Sequence, residues 1–421
     1  MHSNLHSKII ALIVALFLFS ASAYSYAEEK LPEWNIDTLT GNWGGLRDNL
    51  YKLGIDIGLT HKSDVLSNVS GGLKRGSAWE GHSEIRANFD LEKLLNWDST
   101  SAYIHFHSNL GSKFNTHYIG GVVGIDNIEV ATNTAQFEHA WLQKNFFADK
   151  LSVLFGLYAI DSEFYATETS GLFFQPPYGM ANEVALTGSN GPPIFPLGAL
   201  ALRLKTTSLN NNFYVQAALT DGVPGDPNNP HGTHIKLGNG DGTLSIIELG
   251  YTPQVAKENE DDENFSKTAI GFWRYSSQFE AIDGLGGRHK SQGAYILSEQ
   301  SIFHESGSQS KGLAGFIRFG VASSNVNKLD WTSSLGLRYH GLLTGRDDDI
   351  AGVAVTFSHA GDAFKTTGNF NSQETDLELT YRAQIKPWLA IQPTIQGIIN
   401  PGLDPSVNDA WIIGARFEIE L

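Results

Sequence analysis

Glu84, Arg86 and Asn88 recur at every second position, as do His105 with His107 and Arg203 with Lys205. In extended backbone such spacing sends each set to one face. Carboxylates, amides, imidazoles and forked guanidinium groups on a shared wet face donate and accept hydrogen bonds, and the arginine fork suits vicinal hydroxyls. Arg318, Arg338, Arg382 and Gln384 continue the series further along. Phe173 and Phe174, in a long proline-rich stretch, offer flat platforms for ring faces. The candidate contacts for a polar solute are therefore Glu84, Arg86, Arg203, Phe173 and Phe174. Three more are less determined by the pattern. Glu138 and Trp141 fall on opposite faces of their segment, so either points inward, and Arg274 shares its register with Ile270 and Phe272. Arginines on neighbouring strands also pair with carboxylates as a structural ladder, which is the blander role open to each one.

Bond-making chemistry has little support. No His-Glu-x-x-His, Gly-x-Ser-x-Gly or Walker pattern occurs, and there is no cysteine. His105 and His107 share a face, a spacing compatible with metal, but the sequence singles out no third ligand; they read as histidines facing water. No metal, cofactor or catalytic residue is expected. The acidic runs Glu258 to Glu263 and Asp347 to Asp349 read as solvated loops.

The elements that position these side chains are strands. From Gly54 onward apolar and polar residues alternate: Ile55, Ile57 and Leu59 against Asp56, Gly58 and Thr60, then Ile85, Ala87 and Phe89 against Glu84, Arg86 and Asn88. Further alternation near 102–108, 137–146, 151–158, 199–205, 213–220, 244–251, 268–276, 294–303, 313–321, 334–340, 352–358, 376–385, 389–398 and 411–421 brings the total to about 16 candidates, each long enough to cross a bilayer when tilted. The last is the clearest. Trp411, Ile413, Ala415, Phe417, Ile419 and Leu421 lie on one face, and Arg416, Glu418 and Glu420 on the other, which needs water. Before the strands, Trp43, Leu46, Leu50 and Leu53 recur at helical spacing with Gly54 as the stop, giving one short amphipathic helix after a polar, loosely held stretch over 28–40. Long irregular stretches at 159–198, 221–242, 254–266 and 279–292 are expected to face outward or fold inside. The first, with Phe164, Tyr165, Phe173, Phe174 and Tyr178, is too apolar for a solvated tip and must pack against the interior.

Composition agrees. Lys8 precedes an apolar run from Ile9 to Phe19 of about 11 residues, short of the roughly 20 a spanning helix needs. Small residues follow, so residues 1–27 read as a secretory signal peptide with the mature chain starting at Glu28. The chain has 44 Gly, 24 Phe, 14 Tyr and 9 Trp at ordinary hydropathy, a combination suited to a barrel whose apolar belt hides a polar lumen. With 29 basic against 45 acidic residues the net charge of −16 leaves no basic surface for nucleic acid. The expected fold is an all-β transmembrane antiparallel β-barrel of about 16 strands over 54–421, preceded by a periplasmic segment at 28–53 that carries the helix.

Several segments resemble the carbohydrate-selective porin family. They are Gly41-Asn42-Trp43-Gly44-Gly45-Leu46-Arg47; Phe89 to Leu94; Phe155-Gly156-Leu157 with Asp161, Glu163 and Phe164; Gly341 to Arg346 with Asp349 and Gly352; and Tyr381 to Leu389 with Gln392-Pro393 and Asn400-Pro401-Gly402. They span nearly the whole mature chain in order. Two departures are the terminal Leu421, where Phe is usual, and a diverged stretch from about 221 to 290. The resemblance implies a 16-stranded barrel in the bacterial outer membrane that lets mono- or small oligosaccharides diffuse into the periplasm. Its partners would be sugars and outer-membrane lipid, as a homotrimer or a monomer. A general or cation-preferring porin, a barrel used as an anchor, and a secreted β-rich enzyme acting on polysaccharide are the alternatives.

Overall fold

The computed structural model describes residues 31–253, 265–305 and 311–421. The leader and the acidic run Glu258 to Glu263 lie outside the described residues. Sixteen strands follow one another: β1 (Ile55–Gly72), β2 (Gly76–Asp90), β3 (Thr100–Gly111), β4 (Thr134–Phe146), β5 (Leu151–Tyr158), β6 (Ala199–Thr207), β7 (Phe213–Asp221) and β8 (Thr243–Tyr251), then β9 (Ser266–Glu280), β10 (Arg288–His304), β11 (Gly312–Ala322), β12 (Leu329–His340), β13 (Ile350–Ala360), β14 (Gln373–Lys386), β15 (Leu389–Ile399) and β16 (Asn408–Glu420). Each pairs with its sequence neighbours, and β1 closes on β16, so no sheet edge is left unpaired. Every alternating segment read from the sequence overlaps one strand, in order.

The distribution of polarity is the reverse of a soluble protein's. Ile85, Phe155, Ile247, Phe272, Ile317, Leu337, Val353 and Ile413 are exposed on the outer face, whereas Asp64, Glu248, Arg318, Glu378 and Arg416 are buried. Burying charges while exposing aliphatic side chains is favourable only with hydrocarbon outside and partners inside.

Among the described residues two short helices precede the barrel, α1 (Trp34–Asp37) and α2 (Leu46–Lys52). The second stops where expected, at Gly54 with φ +92°. The stretch before it is more firmly held than its polarity suggests. Leu39 N–H donates to Glu420 O at 2.8 Å, Arg47 donates to Leu421 O at 2.7 Å, and the rings of Trp34 and Trp43 flank the Arg47 guanidinium.

Strand direction puts Thr252, after β8, and Phe265, before β9, at the end of the barrel that carries the termini. Residues 254–264 of the stretch expected to face outward or fold inside lie outside the described residues. At the opposite end, two connections turn back into the lumen. One is the anticipated 159–198 loop, and the other, not anticipated, is 112–133, whose Phe114, Ile119, Ile125 and Ile128 are buried. Carboxylates on the inner wall accept their backbone amides. Glu248 takes Tyr165 N–H, Glu299 takes Glu168 and Thr169, Glu378 takes Phe174 and Gln175, Glu80 takes Ser112 and Phe114, and Glu374 takes Val122. A loop placed in a barrel has no strand partner for its N–H groups, and a carboxyl oxygen on the wall replaces one.

Candidate functional site

The two loops meet inside the barrel, where Asn127 Nδ2 donates to Phe173 O at 3.1 Å. Phe173 packs with Leu172, Tyr178 and Phe316, and Phe174 lies 4.3 Å beneath the Arg416 guanidinium. Both rings are at most 1% exposed, so they fasten the loop to the wall and offer no face to a solute. That corrects their expected role as platforms. Arg318 is spent in the same way, donating to the carbonyls of Tyr165, Pro177, Tyr178 and Gly179.

Nearer the end with the termini, the inner wall carries an alternating ladder of charge. Arg86 donates to Thr60 at 2.8 Å and stands 3.4 Å from Glu84; Thr60 in turn donates to Glu420. Glu418 sits between Arg382 at 2.6 Å and Lys62 at 3.7 Å. Further round, Glu163 from the long loop receives Arg203 at 2.8 Å, Lys205 at 3.4 Å and the Tyr158 hydroxyl at 2.7 Å. Burial alone raises the Glu163 carboxyl, but Arg203 and Lys205 outweigh it and hold the group below its ordinary range. Asp161, two residues earlier, has no such cation and is pushed up to about 7 by burial and then by Glu138.

Side-chain exposure separates the cations. Arg86 is 42% exposed, Lys205 35%, Lys62 29% and Arg382 24%, against 4% for Arg203. The first four can touch a passing solute; Arg203 instead orients Glu163 and Gln143.

Glu138 and Trp141 are resolved by a feature that simple alternation omits. Register slips at β3–β4, where His105 faces His139 and Phe106 faces Phe137, leaving Glu138 as the extra residue of a bulge. Glu138 and His139 are both buried on the inner side, and Trp141 also turns inward, 5.3 Å from Tyr103. Glu84 and Glu138 flank one ring, with His105 Nε2 at 2.8 Å from the former and Nδ1 at 2.9 Å from the latter. His107 points elsewhere, to Asn109 and the Pro196 carbonyl. Arg274 does not belong to the lumen. It shares the outer face with Phe272, Ile247 and Leu219 around an apolar depression of about 590 Å³, as its register implied, and its nomination as a solute contact is corrected.

A closed sixteen-stranded barrel, apolar outside, with a charged interior narrowed by infolded loops, defines a bacterial outer-membrane porin. The chain matches the carbohydrate-selective porin, OprB family over residues 74–421, and it belongs to that family. It is 22% identical to Porin B of Pseudomonas aeruginosa over 450 residues, covering 98% of this chain and 97% of that protein. It is also 22% identical to the putative porin QuiX of Acinetobacter baylyi, covering 92% and 94%. The high-pH structure of Pseudomonas putida OprB superposes with a TM-score of 0.82 at 20% identity, over 92% of this chain and 99% of that one. The protein is an outer-membrane carbohydrate porin.

Proposed function

We propose that mono- and small oligosaccharides pass through by exchanging hydrogen bonds with the exposed ladder of Lys62, Arg86, Lys205 and Arg382 and its carboxylates Glu84, Glu418 and Glu420. The observation that carries this reading is the pairing of each exposed cation with an acidic neighbour. Paired charges present donors and acceptors side by side, as a diol requires, without the strong net field that would favour ions. Each contact replaces a hydrogen bond to lumen water, so it is weak enough to release. The chain does no chemistry on what it carries.

Liposome swelling tests this directly. Rates should fall steeply from mono- to di- to trisaccharide, neutral sugars should enter at least as fast as amino acids of similar mass, and the sugars should be recovered unaltered. Equal entry of all solutes of one size would point to a general pore, and a reversal potential favouring cations to a cation-preferring one.

A further inference from the structure

The β4 bulge carries more than a change of register. In strict alternation one of Glu138 and His139 would face lipid; the bulge turns both inward, beside His105 on β3. Gly198 lies against it so closely that a Cβ there would stand 2.0 Å from Glu138 O. One ligand atom from each of His105, Glu138 and His139 falls within 4.8 Å of the others. The rings of His105 and His139 stack 6.0 Å apart at 18°.

We propose that His105, Glu138 and His139 form a seat for a divalent transition-metal cation, with zinc as the type ion and lumen water completing the coordination. Two imidazole nitrogens and one carboxylate oxygen are borderline donors that suit zinc, and three protein ligands leave a position open. At metal–ligand distances of about 2.0–2.2 Å, tetrahedral ligand atoms stand roughly 3.3–3.6 Å apart, so side-chain adjustments of about 1 Å close the site.

Two independent observations single out this seat. His139 is 6% exposed and its Nδ1 is buried without a hydrogen-bond partner, an arrangement that is costly for a structural histidine and natural for a ligand. His105 already has the outer support that ligating histidines carry: with Nδ1 toward the ion, Nε2 donates to Glu84, which Arg86 and His82 hold in turn. A second grouping, His82, Glu84 and His105, is less suited, because Glu84 there already has Arg86 as its cation. The seat lies beside the loops that narrow the lumen, since His107, next along β3, bonds Pro196 and packs on Phe195. An ion held there adds positive charge to the pore wall at that level.

The test uses the full mature barrel in detergent micelles, stripped with EDTA and titrated with Zn²⁺ by calorimetry and with Co²⁺ by visible absorption. One ion per chain is expected, with Co²⁺ bands of a nitrogen and oxygen site. His139→Ala and Glu138→Gln should each weaken binding by at least about tenfold, and Glu84→Gln by about tenfold through loss of the outer support. His359→Ala, remote on the β12–β13 pair with Asp330, should leave it unchanged. If His139→Ala does not fold, as judged by heat-modifiable gel migration, the isosteric Glu138→Gln carries the test. Failure of Zn²⁺ and Co²⁺ to bind stoichiometrically, unchanged affinity in Glu138→Gln, or a loss seen with His82→Ala and not with His139→Ala would each overturn the assignment.

Discussion

Arg416 on the last strand lies 2.6 Å from Asp64 on the first, so one guanidinium bridges the seam where the barrel closes. The same group reaches Asp126 at 3.3 Å and Asn127 at 2.7 Å, tying the 112–133 loop to that seam. Burial, and then the proximity of Asp64, pushes the Asp126 carboxyl upward, while Arg416 opposes both.

Arg416→Met should therefore remove the only cation from two buried carboxylates among the described residues. Breaking such an arrangement costs about 3–5 kcal/mol. The expected result is a lower denaturant midpoint for the folded, heat-modifiable band, with partial recovery in Arg416→Met combined with Asp64→Asn. An unchanged midpoint would remove the seam from the account of closure.

Glu378→Ala should free the long loop locally without opening the barrel. It strands the amides of Phe174 and Gln175, each at about 1–3 kcal/mol if they stay buried. Hydrogen exchange at these two amides should accelerate, and trisaccharide swelling should rise relative to monosaccharide.

How much of this could be read from residue order depends on the range of the interactions. Strand number and face followed from alternation at neighbouring positions, down to the outward register of Arg274, which its charge had made seem exceptional. The bulge at Glu138 showed in that pattern only as the ambiguity between Glu138 and Trp141, because an extra residue is defined only by the partner strand. That Phe173 and Phe174 pack inside followed from the apolar run around them, but the wall groups that cover them were hidden, since Glu378, which accepts the Phe174 amide, and Arg416, over the Phe174 ring, lie more than 200 positions away. The 112–133 loop was different. Its Phe114, Ile119, Ile125 and Ile128 carry the same apolar signal that marked 159–198, so the same argument would have placed it inside.

The long loop should also respond to pH. Glu183 within it is fully buried, and burial pushes its carboxyl up to about 7. Between the ordinary value of 4.5 and about 7 the folded state holds a proton that the unfolded state has released. Stability then falls as pH rises through that window and levels off above it. A barrel unfolded in guanidinium should lose stability from pH 5 to pH 8, and Glu183→Gln should lose less; equal slopes would contradict the assignment.

Arg274→Leu gives the opposite expectation to substitutions inside. An arginine on the lipid face costs about 0–4 kcal/mol depending on depth. Its replacement should leave sugar entry unaltered and hold or raise the unfolding midpoint, whereas a fall in sugar entry would return Arg274 to the pathway.

A sugar that crosses the barrel occupies the charged lumen on its way through, and single channels in a planar bilayer report this most directly. Conductance should fall saturably as glucose is added, beyond the change in bulk conductivity, and Arg86→Gln should raise the half-blocking concentration several-fold. Channels that open normally yet ignore every mono- and disaccharide would contradict it.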